Sequence, residues 1–209
     1  MVETESRVAD ESAGSRRLNA ADRRRQLLNV AKKLFAQNGY KLTTTANIAR
    51  AANVTEPILY RHFRSKKNLF LEVINEIRRE TLDRWRAIAA THDDPLEALR
   101  LIASSFQYAR QKHGLEYRVV HRALAEVNDR DVAELLRSFY CDEADFFTDL
   151  IRKGQQVGRF RQDIDPRLAA WSIIRQGLAY SLTEPLGISF YQEPEHYDRV
   201  VEMTFDVLL

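Results

Sequence analysis

A chain of 209 residues, 44% hydrophobic and 30% charged, holds enough apolar material for one large or two small domains, and its composition excludes a fibrous or wholly disordered polypeptide. One cysteine, Cys141, excludes an internal disulfide framework and a thiolate metal cluster, and nowhere do about 18 uninterrupted apolar residues suggest a membrane span. The net charge of +2 hides an asymmetry: residues 1–70 hold 14 Lys and Arg against 6 Asp and Glu, whereas residues 71–209 hold 18 against 24, so a basic N-terminal part and an acidic body are expected to meet different partners.

Residues 1–18 are polar, rich in Glu, Ser and Arg, and lack the apolar core of a secretory signal, so they are expected to form a flexible tail on a chain that stays in the cytoplasm. Beyond them apolar residues recur at spacings of three and four, with only 7 Gly and 5 Pro, which predicts an all-α fold. Asn19 with Asp22 three residues later marks the first helix start, and Asn38-Gly39 its end. A short second helix follows Thr43, Thr44 and Thr45 and buries Ile48, Ala49 and Ala52; Asn53 supplies the tight turn, because Asn tolerates positive φ.

Thr55 caps a third helix with Pro57 in its first turn. Leu59 and Phe63 point inward together, which turns Pro57 and Arg61 outward with Ile58 and Tyr60 beside them. A fourth helix runs from Ser65 to about Trp85. Lys66 and Lys67 sit in its first turn, where the macrodipole disfavours cations, and a phosphate there would repair the mismatch.

Longer helices are predicted over 95–111, 116–126, 131–157, 166–182 and 194–209, with Pro95, Pro166 and Pro194 at starts. The helix over 166–182 is apolar around most of its circumference: Leu168, Trp171, Ile174 and Leu178 lie on one side, Ala170, Ile173, Gly177 and Tyr180 on another. This helix and the last one are therefore expected to pair with symmetry mates in a four-helix homodimer interface through Ala170, Ile173, Gly177, Tyr180, Val201 and Phe205; a well-buried core helix is the alternative.

The second and third helices, joined at Asn53-Val54, form a helix-turn-helix over about 44–63, and the stretch "GYKLTTTANIARAANVTEPILYRHFRSKKNLF" resembles the N-terminal domain of the tetracycline-repressor (TetR) family of bacterial transcriptional regulators. The resemblance spans roughly residues 21–81; Asn53 stands where the family usually has Gly, and both residues suit a left-handed turn. It implies a helix-turn-helix DNA-binding domain over 19–81 and a helical effector-binding and dimerisation domain over 82–209. It further implies a bacterial repressor that binds a palindromic operator in double-stranded DNA as a dimer and is released by a small-molecule effector.

From the resemblance and the chemistry together, Thr44, Thr45, Tyr60, His62 and Lys66 are expected at backbone phosphates. Thr55 opens the reading helix; Pro57 and Ile58 would pack on thymine methyls, Glu56 would accept from cytosine, and Arg61 would reach guanine or phosphate. An effector cavity in the second domain is expected to draw on Trp85, Phe106, Tyr108, Tyr117, Arg118, His121, Phe139 and Trp171. His113, Glu116 and His121 offer no pair four apart, so no metal is expected, and no cofactor motif occurs. No phosphate-cradling Gly loop, G-x-S-x-G or H-E-x-x-H points to an enzyme. A sequence-independent or effector-less DNA-binding protein stays open as the alternative.

Overall fold

The computed structural model describes residues 19–112, 114–183, 186, 188 and 193–209; the expected tail over 1–18 and His113 lie outside the described residues. Among the described residues the protein is all-α: α1 (Ala20–Leu42), α2 (Thr45–Ala51), α3 (Glu56–His62), α4 (Lys66–Thr91), α5 (Pro95–Lys112), α6 (Leu115–Ala123) with a 3-10 turn (Leu124–Glu126), α7 (Arg130–Gln156), α8 (Pro166–Thr183) and α9 (Pro194–Asp206).

Caps set most of these boundaries. Asn19 accepts from the Asp22 N–H and donates to its carboxylate, each at 2.8 Å, closing a reciprocal box at the head of α1. Gly39, at φ 74°, breaks the α1 conformation, and the chain turns so that Tyr40 packs its ring against Phe70 at 4.8 Å. Thr44 caps α2, Ser65 caps α4, and Asp129 caps α7 through the N–H groups of Asp131 and Val132. The α4 helix outruns its expected end at Trp85 by six residues, because Ile88 and Ala89 continue its apolar stripe.

Two apolar clusters form the interior. The first joins α1 to α4 through Leu27, Phe35, Ile48, Leu59, Phe63 and Phe70, and is completed by Val119, Val120 and Ala123 of α6 and Val132, Leu136 and Phe139 of α7. Each large side chain buried there contributes about 1.5–3 kcal/mol. The second gathers Leu82 and Trp85 of α4 with residues of α5, α7, α8 and α9. The α4 helix passes from one cluster to the other between Ile77 and Leu82 without a break.

The face of α8 and α9 expected to meet a second chain points inward instead. Ala170, Tyr180 and Phe205 are buried within this chain, and Ile173, Gly177 and Val201 line an internal cavity. Because α8 is apolar nearly all round, its periodicity could not fix which side turns outward. Exposed apolar side chains are Leu168 and Leu182 on α8, Met203 on α9 and Val207 just after it.

Candidate DNA-binding surface and helical cavity

Backbone geometry builds the first site. Asn53, at φ 53°, carries the turn between α2 and α3, and the Val54 N–H returns to Ala49 O at 2.9 Å. Leu59 and Phe63 are fully buried beneath α3, so its opposite side must face out: Pro57 and Arg61 are exposed and Tyr60 is half exposed, at 50%. Ile58 and His62 flank that side, each partly covered. The Thr45 hydroxyl donates to the Glu56 carboxylate at 2.7 Å and lies 3.3 Å from the Tyr60 hydroxyl, tying the start of α2 to α3. Thr44 and Thr55 are exposed N-caps beside this cluster. Glu56 is thus held by Thr45, which limits its reach toward a base edge.

The two lysines at the start of α4 are already answered within the chain. Lys66 donates to the carbonyls of Tyr40 at 2.9 Å and Thr43 at 3.0 Å, and its ammonium lies 4.2 Å from the centre of the Tyr40 ring. That leaves one of its three donors for an external phosphate. Lys67 bridges Asp129 at 2.7 Å and Asp131 at 2.6 Å. Hydrogen bonds donated to these carboxylates raise the Lys67 pKa, and the same contact lowers that of Asp129. The electrostatic mismatch read from the sequence is therefore compensated by residues far along the chain, and does not by itself demand an anion.

The second site is a partly open cavity of about 110 Å³ lined by residues of α4 to α9. Trp85, Phe106, Tyr117, His121 and Phe139 line it as expected; Tyr108 and Arg118 are exposed, and Trp171 packs into the second apolar cluster. Its aromatic wall is ordered by ring contacts, Phe106 edge-on to Tyr117 at 4.5 Å and Trp85 tilted against Phe147 at 4.9 Å. Trp85 Nε1, Tyr117 OH and His121 Nδ1 are buried with no hydrogen-bond partner. Burial raises the pKa of Tyr117 and Tyr140.

Glu143, also on the cavity wall, is absent from the sequence-based candidates. It is 8% exposed, and burial pushes its carboxyl up to about 8. A signal for it exists: with Leu136, Phe139, Phe147 and Leu150 it keeps the three- and four-residue spacing of the buried stripe of α7, so a carboxyl stands where the pattern calls for an apolar group.

No helix among the described residues is long and apolar enough to cross a membrane. The family model for bacterial regulatory proteins of the tetR family matches residues 27–73, the segment from mid-α1 to mid-α4 that contains the helix-turn-helix. A relative, the HTH-type transcriptional repressor KstR2 of Mycolicibacterium smegmatis, is 30% identical over 148 residues, covering 69% of this chain and 71% of its own. A TetR-family transcriptional regulator from Agrobacterium tumefaciens superposes with a TM-score of 0.79 at 18% identity, over 88% of this chain and 98% of that one. The ketosteroid transcriptional regulator KstR2 of Mycobacterium tuberculosis superposes with a TM-score of 0.64 at 22% identity, over 91% and 94%. With the helix-turn-helix and the helical body that these comparisons share, the chain belongs to the TetR family of bacterial regulatory proteins and is a DNA-binding transcriptional regulator.

Proposed function

We propose that this protein represses transcription in the bacterial cytoplasm by binding a palindromic operator as a homodimer, and that a small molecule entering the helical cavity releases it. The observation that carries this reading is the path of α4: one unbroken helix starts beside the helix-turn-helix at Lys66 and supplies Ile77, Thr81 and Trp85 to the cavity wall. An occupant that displaces this helix displaces the reading head, with a coupling of about 1–3 kcal/mol.

In this reading residues 19–81 form the DNA-binding domain and 82–209 the effector and dimerisation domain. The α3 helix enters the major groove, with Pro57, Ile58 and Arg61 toward base edges and Thr44, Thr45, Thr55, Tyr60, His62 and the free donor of Lys66 toward phosphates. The Glu56 carboxylate, held by Thr45, acts mainly by repelling wrong sites. Leu168, Leu182, Met203 and Val207, exposed on α8, on α9 and just after it, form the dimer contact that sets the two heads about 34 Å apart. The test is competition binding at fixed salt between a palindrome from beside the gene and random duplex. Specific binding by several orders of magnitude supports the reading, and a ratio near one leaves only a sequence-independent DNA binder.

A further inference from the structure

The cavity wall is aromatic and aliphatic except at a few points, and Glu143 is the acidic group among its lining residues. The carboxyl is buried, burial raises its pKa, and among the described residues it enters no ion pair. Arg84 lies 3.5 Å from Glu116, with its Nη2 buried and making no hydrogen bond, and Arg78 pairs with Asp142. Around Glu143 the titratable lining groups are Tyr140 of α7, Tyr117 and His121 of α6, Tyr180 of α8 and Tyr197 of α9; α4 and α5 present none to the cavity. Arg84 of α4 acts on Tyr117 through its charge.

A buried carboxyl in such a place stays protonated unless a positive charge is delivered to it. Aromatic faces attract the same kind of charge, and Trp85, Tyr117, Phe139, Tyr140 and Phe147 surround the space. The cavity of about 110 Å³ is of the same order as the roughly 150 Å³ hole that admits benzene in an engineered protein core, and it is partly open, so a substituted ring can extend along it. We propose, resting on the reading of this cavity as the effector site, that the effector is a small organic cation, an ammonium or amidinium on a ring-sized apolar frame, paired with Glu143 inside the aromatic cage. Pairing requires the carboxylate, so binding at neutral pH transfers the Glu143 proton to solvent.

The experiment is calorimetric titration of the full chain with three probes that share one frame: benzylammonium, benzyl alcohol and benzoate. Each is run at pH 7 in phosphate and in Tris, whose different ionisation heats report proton release, and again at pH 6. Benzylammonium is expected to bind at least about tenfold more tightly than benzyl alcohol, to release close to one proton, and to tighten roughly tenfold from pH 6 to pH 7. Glu143→Gln removes the preference and the proton release while benzyl alcohol still binds. Should the glutamine variant not fold, proton release by the wild-type chain decides alone. Benzyl alcohol or benzoate binding more tightly, or benzylammonium binding without proton release, overturns the cationic class and leaves the cavity as an effector site. Failure of all three probes to bind overturns the cavity reading as well.

Discussion

Glu143 makes the stability of this protein depend on pH in a direction opposite to that of a salt-bridged carboxylate. Its carboxyl is held up at about 8 by burial, against about 4.3 in an unfolded chain. Between those values the native state keeps a proton that the unfolded chain has released. Stability is therefore greatest below the lower value, falls by about 1.4 kcal/mol per pH unit as pH rises, and levels off above the higher one. From pH 5.5 to 7.5 the site alone removes roughly 2–3 kcal/mol, which in a domain of this size lowers the melting temperature by roughly 5–10 °C. Replacing Glu143 with Gln removes the titration; Tyr117 and Tyr140, whose pKa values its charge helps to raise, ionise well above this range. The assay is thermal or urea unfolding of both chains across that range at one fixed protein concentration, because dimerisation would make the midpoint concentration-dependent. The variant should gain on the wild-type chain steadily as pH rises. Parallel stability curves would show that Glu143 ionises normally in the folded protein, and the argument from its burial would fall.

Other substitutions test separate parts of the structure. A Cβ at Gly154 would lie 2.0 Å from the Phe160 ring, so Gly154→Ala should cost about 1–3 kcal/mol in urea unfolding through forced displacement of that ring; an unchanged midpoint would contradict the packing. Asp131→Asn weakens the hold on Lys67 without removing the Asp129 cap of α7, so affinity for random duplex should rise at low salt and the salt slope should steepen by up to about one unit. Lys66→Met should weaken binding to all duplexes and also lower the melting temperature, since its ammonium closes the carbonyls of Tyr40 and Thr43. Ile58→Ala should change the preference at one base pair without altering the salt slope, read by competition with single-base operator variants.

The reading head was legible because its determinants are local. The Asn19 box, the positive φ of Asn53, the Thr44 cap and the inward pair Leu59 and Phe63 all act within a few residues of themselves. What stayed hidden depends on distant partners. Nothing near Lys67 in the sequence shows that Asp129 and Asp131 fold back onto it, or that Lys66 finds carbonyls at the end of α1. The same limit holds for α8: an all-round apolar helix carries no phase, so the sequence leaves open whether Ile173, Gly177 and Tyr180 face a partner chain or their own core, and within this chain they line the cavity. Aromatic content located part of the cavity wall, including Trp85, Phe106 and Tyr117, but could not separate them from the exposed Tyr108.

Two helices, not one, connect the cavity to the reading head. The α4 helix begins with Lys66 and Lys67 and reaches the cavity at Ile77; α7 begins beside Asp129 and Asp131, which hold Lys67, and reaches the cavity at Phe139 and Glu143. At 1.5 Å per residue the α7 path from Asp131 to Glu143 is about 18 Å, so an event at the carboxyl lies close to the ion pairs on the head. Those pairs are solvent-exposed and screened, and contacts of that kind set register more than they store energy. The coupling must then reside in packing. Ile77, Val120 and Phe139 belong to the apolar cluster that supports α1 to α4 and also line the cavity. An occupant touching Phe139 thus presses directly on the core beneath the helix-turn-helix. Because packed cores adopt discrete arrangements and do not deform smoothly, the proposed release of DNA would run through Phe139 and its neighbours in this cluster and not through the lysine contacts alone.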